Sequence, residues 1–265
     1  MSPELDLLAA VLGLIDARLP DHPGPFVLSV SGSQGSGKST LAKAVAADLR
    51  SRGVASEVLS IDDLYLSSAA RRKLAAEVHP LLATRGVPGT HDVGLGLSVF
   101  AALDAGEPVR LPRFDKASDD LRGQAEWPEV SALRVLVFEG WCVGAGPQPD
   151  SSLTVPVNVL EADEDPDGAW RSFVNTQLGL AYQELFARID AQVFLAAPAF
   201  SVVKDWRLQQ ELEIAGQGQA VMDEAGIARF VQFYQRLTEW MIEDIPHRAD
   251  LTARIDQNRR VLSIT

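Results

Sequence analysis

The hydrophobic positions of the chain fall into two spacings that alternate along its length. Leu5, Leu8, Leu12 and Ile15 recur at helical intervals, and Pro20 and Pro23 close this first helix over residues 4–17. Phe26-Val27-Leu28-Ser29-Val30 is a short apolar run of strand type, followed by three glycines and an alanine-rich helix from Thr40 to Arg50. Val58-Leu59-Ser60-Ile61 predicts a second strand that ends on Asp62-Asp63. Helices are expected over residues 69–78 and 93–105, with a Gly- and Pro-rich loop from Thr84 to Asp92 before the second. Residues 133–138 form the clearest buried strand, ending on Glu139-Gly140, and residues 143–156 read as an irregular loop. One long helix is expected over residues 169–189, then a strand over 191–195 and helices over 200–214 and 226–242. Two short strands around Leu251 and Val261 close the chain. Strands alternating with helices predict an α/β fold, a mostly parallel sheet with helices on both faces. No repeat or linker interrupts the pattern. A single domain over residues 1–265 is therefore expected, with an N-terminal helix inside residues 1–20.

Composition narrows the classes. With 265 residues, 46% of them hydrophobic, the chain can bury a substantial core. The single cysteine, Cys142, excludes an intramolecular disulfide framework and any multi-cysteine metal site. No apolar run approaches the roughly 20 residues of a membrane-spanning helix. Glu4, Asp6 and Asp16 flank the apolar start, which suits an amphipathic helix better than a signal peptide. A cytoplasmic protein without a membrane partner is the expectation. The formal net charge of −12 argues against nucleic acid, which needs a basic footprint. It equally disfavours any anionic small ligand, so local cations would have to overcome the global field. Lysine is scarce, being confined to Lys38, Lys43, Lys73, Lys116 and Lys204.

Gly32-Ser33-Gln34-Gly35-Ser36-Gly37-Lys38-Ser39, followed by Thr40, satisfies the G-x-x-x-x-G-K-[ST] pattern between a predicted strand and a predicted helix. Its glycines let backbone N–H groups turn toward phosphate oxygens, and the helix N-terminus adds partial positive charge. Lys38 is expected on the β- and γ-phosphates of ATP and the Ser39 hydroxyl on Mg²⁺. A GTPase would normally carry an N-K-x-D segment, and none is present; Asp165-Pro166-Asp167-Gly168 fits D-x-x-G but does not follow an apolar strand. Phosphoryl transfer to a small molecule needs a carboxylate near the loop to receive the acceptor hydroxyl. Asp62 stands at a strand end, where parallel sheets gather ligands, although Asp62-Asp63 could instead serve as helix caps. Glu139 resembles a Walker B carboxylate and would hold Mg²⁺ directly or through water, unless it is only a solvated strand end.

Ser60-Ile61-Asp62-Asp63-Leu64-Tyr65 resembles the D-x-[FL]-Y segment of the phosphoribulokinase, uridine kinase and pantothenate kinase group. Within that group, residues 84–92 (TRGVPGTHD), 111–116 (LPRFDK) and 137–141 (VFEGW) are similar to segments of D-glycerate 3-kinases of plant and fungal type. Trp170, Phe173-Val174-Asn175, Tyr182, Leu185-Phe186 and Ile189-Asp190 extend the likeness, which runs from about Val27 to the carboxyl end. Plant members tend to carry Tyr at the position of Phe114, and the segment from Ala117 to Trp127 is shorter here. The resemblance implies a P-loop kinase fold with ATP and Mg²⁺ as cofactors, a small hydroxy acid as partner and Asp62 as base. It places Tyr65, Arg85, His91, Asp92, Arg113 and Lys116 with Asp62 at the acceptor. A helical lid over residues 198–216 is implied, with Lys204 and Arg207 on one face to neutralise the transferring phosphoryl group, while Trp206 packs elsewhere. D-glycerate is the implied acceptor. A kinase of the same fold for pantothenate, a nucleoside or another small alcohol, and a regulatory ATPase without acceptor, are the alternatives.

Overall fold

The structure, a computed structural model, describes residues 6–215 and 223–265, with the backbone alone over 210–215. The first five residues of the expected N-terminal helix and residue 216 of the expected lid lie outside the described residues. Helix α1 (Leu7–Arg18) begins at Asp6, whose carboxylate accepts the Ala9 N–H, and it buries Val11 and Ile15. Strand β1 (Phe26–Gly32) is buried along its whole length and leads through the phosphate-loop segment into α2 (Lys38–Ser51). Strand β2 (Ser56–Ser60) ends in a single 3-10 turn, Ile61–Leu64, before α3 (Ser68–Glu77) and α4 (Val93–Asp104). Four two-residue strands follow: β3 (Val109–Arg110), β4 (Phe114–Asp115), β5 (Asp120–Leu121) and β6 (Glu129–Val130). They pair antiparallel as β3 with β6 and β4 with β5, outside the main sheet. The chain continues through β7 (Val135–Gly140), α5 (Val159–Glu164), α6 (Ala169–Gly179), α7 (Ala181–Phe186) and β8 (Ala191–Ala196). It ends with α8 (Ser201–Ala215), α9 (Glu224–Asp244), β9 (Leu251–Ile255) and β10 (Val261–Ile264).

The six main strands lie in the order β10-β9-β8-β1-β7-β2, all parallel except β10. Successive side chains of a strand face opposite sides, so each central strand feeds two cores. Phe26, Leu28, Val30, Val135, Val137, Val193 and Leu195 pack against α1 and α2. Val27, Leu136, Phe138 and Phe194 pack on the other side, against Phe100, Leu185, Phe233 and Leu237 from α4, α7 and α9. This is the expected doubly covered sheet.

The single long helix expected over 169–189 is two helices, broken at Leu180 (φ −107°, ψ −112°). Gly179 weakens the helical backbone at the break. The Gln183 amide takes up the freed Leu178 carbonyl at 2.8 Å and also bonds Ala145 O. Among the described residues, no helix is long and apolar enough to cross a membrane.

Candidate active site

Register brings the chemistry together. Val30 of β1 pairs with Glu139 of β7, and Glu139 pairs in turn with Ser60 of β2, so three parallel strands deliver their carboxyl ends side by side. Gly140 lets the turn after β2 close on β7: a Cβ there would stand 2.3 Å from the Ile61 Cγ2. A cleft of about 550 Å³ opens above these ends, lined by Lys38, Ser39, Asp62, Tyr65, Glu139 and others. Lysine and arginine outnumber aspartate and glutamate along its walls by seven to four, a local reversal of the chain's negative charge.

The loop between β1 and α2 has the geometry of an anion cradle. Gly35 and Gly37 take left-handed backbone angles (φ +77° and +95°), open to glycine at little cost. Among the described residues, the hydroxyls of Ser33 and Ser36 and the Gln34 Oε1 are buried without a hydrogen-bond partner, as expected of groups arranged for a ligand. Gly35 is also clamped from outside. Trp206 of α8 lies against it, leaving 2.5 Å for a Cβ, and the Arg259 guanidinium donates to the Gly35 carbonyl while stacking 5.2 Å from the Trp206 ring. Trp206 is therefore a packing residue, and the start of α8 is fixed to the loop by its buried face.

The residues present fit a magnesium ion. The Ser39 hydroxyl donates to Glu139 Oε1 at 2.9 Å, while the buried Glu139 Oε2 has no partner among the described residues. A hydroxyl and a half-satisfied carboxylate at the mouth of a phosphate loop form the oxygen donor set that Mg²⁺ takes alongside phosphate and water.

Asp62 sits in the turn after β2, its side chain 29% exposed. Tyr65 donates its hydroxyl to Asp62 Oδ1 at 2.8 Å, and Lys116 donates to Oδ2 at 2.6 Å. Burial pushes the Asp62 carboxyl upward, but Lys116, Lys38 and the Tyr65 hydrogen bond together outweigh it and bring the pKa down to about 2. Asp62 is thus an ionised carboxylate that accepts hydrogen bonds. Asp63 instead closes a capping box with Ser60 and accepts the Phe114 N–H at 3.1 Å, which docks β4 beside Asp62. Of the two aspartates, only Asp63 is a cap.

The remaining expected acceptor residues divide. Arg85 and Arg113 line the cleft, and so does Arg207, whose guanidinium lies 5.1 Å from the Phe230 ring centroid. Arg113 also reaches the Val58 carbonyl on the open edge of β2 at 3.3 Å. His91, Asp92 and Lys204 do not line the cleft. His91 is buried, stacks on Tyr65 with centroids 4.6 Å apart, and shares a 2.6 Å hydrogen bond with the Tyr182 hydroxyl. Burial lowers its pKa to about 4, so it is a neutral support for Tyr65. Asp92 caps α4 by accepting the Leu95 N–H, and Lys204 pairs with Glu224 at 3.0 Å. Sequence reasoning missed Trp141, Phe230 and Tyr234, which line the cleft, Asp119, which pairs with Arg85, and Arg71, which pairs with Asp119. A second, largely apolar groove of about 410 Å³ lies behind the loop, lined by Leu7, Thr40, Leu41, Ala44, Ile255 and Val261 among others.

A phosphate loop at the end of a central parallel strand, a buried strand-end carboxylate and an ionised aspartate in one cationic cleft define a P-loop kinase. No family model matches the chain. It is 32% identical over 264 residues to a protein of Schizosaccharomyces pombe described as an uncharacterized kinase, mug58, covering 94% of both chains. It is also 32% identical over 225 residues to the chloroplastic D-glycerate 3-kinase of Arabidopsis thaliana, covering 81% of this chain but 47% of the plant protein. Among solved structures, D-glycerate 3-kinase from Cryptococcus neoformans superposes with a TM-score of 0.81 over 98% of this chain and 99% of that one, at 24% identity. Matched over nearly its whole length to the Schizosaccharomyces pombe kinase, the chain belongs to a family of P-loop kinases, and it is similar to D-glycerate 3-kinases.

Proposed function

We propose that this kinase transfers the γ-phosphoryl group of ATP to a hydroxyl of D-glycerate. The observation that carries the reading is the Asp62 carboxylate, which lines one cleft with Lys38 of the phosphate loop and with the arginines Arg85 and Arg113. Asp62 accepts a hydrogen bond from the acceptor hydroxyl and takes its proton as the new O–P bond forms and the β–γ bridge breaks, leaving ADP. Lys38 and the N–H groups of residues 33–39 hold the phosphates. Ser39 and Glu139 would hold magnesium, which when bound would neutralise charge on the phosphate oxygens. Arg207, which lines the cleft from α8, neutralises charge on the transferring phosphoryl group. Arg85 offers planar donors to the acceptor carboxylate, a task for which guanidinium is better shaped than ammonium, and Arg113 adds positive charge to the same cleft. The apolar groove behind Thr40 suits the purine ring.

The test is ATP consumption with D-glycerate, pantothenate, a panel of nucleosides and no acceptor, with the phosphorylated product identified by phosphorus NMR. Phosphoglycerate formation at a kcat/KM well above that of every other acceptor is expected. Turnover of pantothenate or a nucleoside in preference to D-glycerate would replace the acceptor, and acceptor-independent hydrolysis alone would replace the kinase reading by a regulatory ATPase.

A further inference from the structure

The β4–β5 hairpin carries Lys116 into the cleft and holds Asp119 against Arg85, which lines it. Lys116 pairs with Asp62, and Asp119, three residues on, pairs with Arg85 through Oδ1 and with Arg71 through Oδ2. A single carboxylate thus bridges two guanidinium groups, and both lie over the Phe114 ring, 5.7 Å from its centroid for Arg85 and 5.9 Å for Arg71. Arg71 is almost wholly buried and is steadied by the carbonyls of Leu66 and Ala83. Its charge needs a nearby anion whatever the state of the site.

We propose that Asp119 occupies the seat of the acceptor's carboxylate, and that a hydroxy acid binds by displacing Asp119 from Arg71 and Arg85. The proposal rests on the reading of the cleft as a kinase of a carboxylate-bearing acceptor. Three observations support the exchange. The seat lies beside the phosphoryl-transfer residues, since Phe114 packs edge-on to Tyr65, whose hydroxyl is bonded to Asp62. The hairpin is held by little strand pairing, because each of its strands is two residues long, and Asp119 holds a left-handed backbone (φ +57°) that asparagine also tolerates. The exchange also conserves charge, as one carboxylate replaces another on the same two arginines. It has a catalytic corollary: the hairpin that releases Asp119 also carries Lys116, so arrival of the acceptor draws the competing cation away from Asp62. The base is then freed only when an acceptor is seated.

Asp119→Asn tests this, since asparagine keeps the left-handed turn while removing the competing charge. Affinity for D-glycerate, for acetate as a bare carboxylate probe and for glycerol as a neutral control would be measured by calorimetry and arginine side-chain NMR, with KM and kcat alongside. The expected result is an affinity for both carboxylates higher by about fivefold, the scale of one partly exposed ion pair, with glycerol and the KM for ATP unchanged. Asp119→Glu should return the carboxylate affinities toward wild type. Unchanged or weaker carboxylate binding in a folded Asp119→Asn protein overturns the proposal, and so does an equal gain for glycerol. Tighter acetate binding at Arg71 and Arg85 without phosphorylation of D-glycerate would uphold the seat and reject D-glycerate as the acceptor. Phosphorylation of D-glycerate with carboxylate affinity unmoved would do the reverse.

Discussion

Asp62 joins the two halves of the cleft, because it is bonded to Tyr65 and Lys116 and lies within the field of Lys38. Asp62→Asn removes the proton acceptor and keeps the shape. Turnover should fall by roughly 10² to 10⁴, while ATP affinity measured by calorimetry stays within about twofold. A variant with near-normal turnover would take Asp62 out of its role. This residue was legible in the sequence because a carboxylate directly after a short apolar run falls at a strand's carboxyl end. Its neighbours were less so. His91 and Asp92 share a loop with Arg85 in sequence, yet one supports Tyr65 from beneath and the other caps α4. Which of several polar residues in a loop faces the ligand is decided by packing from distant segments, here Tyr182 on His91. Asp119 was invisible for the same reason, since its partners Arg71 and Arg85 lie 48 and 34 positions away.

At the level of elements, the strand–loop–helix of residues 26–51 was readable in full, because apolar pattern, glycine spacing and helix onset all agree there. The clamp on that loop was not readable. Trp206 and Arg259 reach Gly35 from α8 and from the turn between β9 and β10. Gly35→Ala would add a left-handed strain and an overlap at 2.5 Å with Trp206. It should lower stability by about 3 kcal/mol in urea unfolding and weaken ATP binding at least tenfold. Wild-type values for both would show that the clamp yields easily. The break at Leu180 was missed because helical periodicity continues across it. At the break Gly179 weakens the helix and the Gln183 amide takes up the Leu178 carbonyl.

For the molecule as a whole, buried His91 and half-buried Asp62 make stability depend on acidity in separate windows. His91 is held neutral by burial, with its pKa lowered from 6.5 to about 4. Between these values the unfolded chain binds the proton and the folded one does not, so stability falls as pH drops from 6.5 toward 4. The loss amounts to about 3 kcal/mol once pH is below 4. Asp62, lowered from 3.8 to about 2, contributes stability that is lost only below pH 4. Thermal melts should therefore show a decline in Tm between pH 6.5 and 4.5 that His91→Gln flattens; an equal decline in that variant would assign it to other groups. The sheet and its two cores were largely legible from alternation. The balance of charge was not, because a net charge of −12 conceals a cleft whose walls are cationic.

The indole of Trp206 rests on the loop that would receive the phosphates, with the Arg259 guanidinium over its face and its N–H bonded to Gln257 O at 2.7 Å. That arrangement gives the protein an intrinsic optical reporter. Any shift of Gly35 or Arg259 when a nucleotide enters alters the polarity around an indole that is otherwise shielded from water, and hence its emission. Trp206→Phe should abolish most of the ATP-dependent change in tryptophan fluorescence, so occupancy of the loop can be titrated without label, acceptor or turnover.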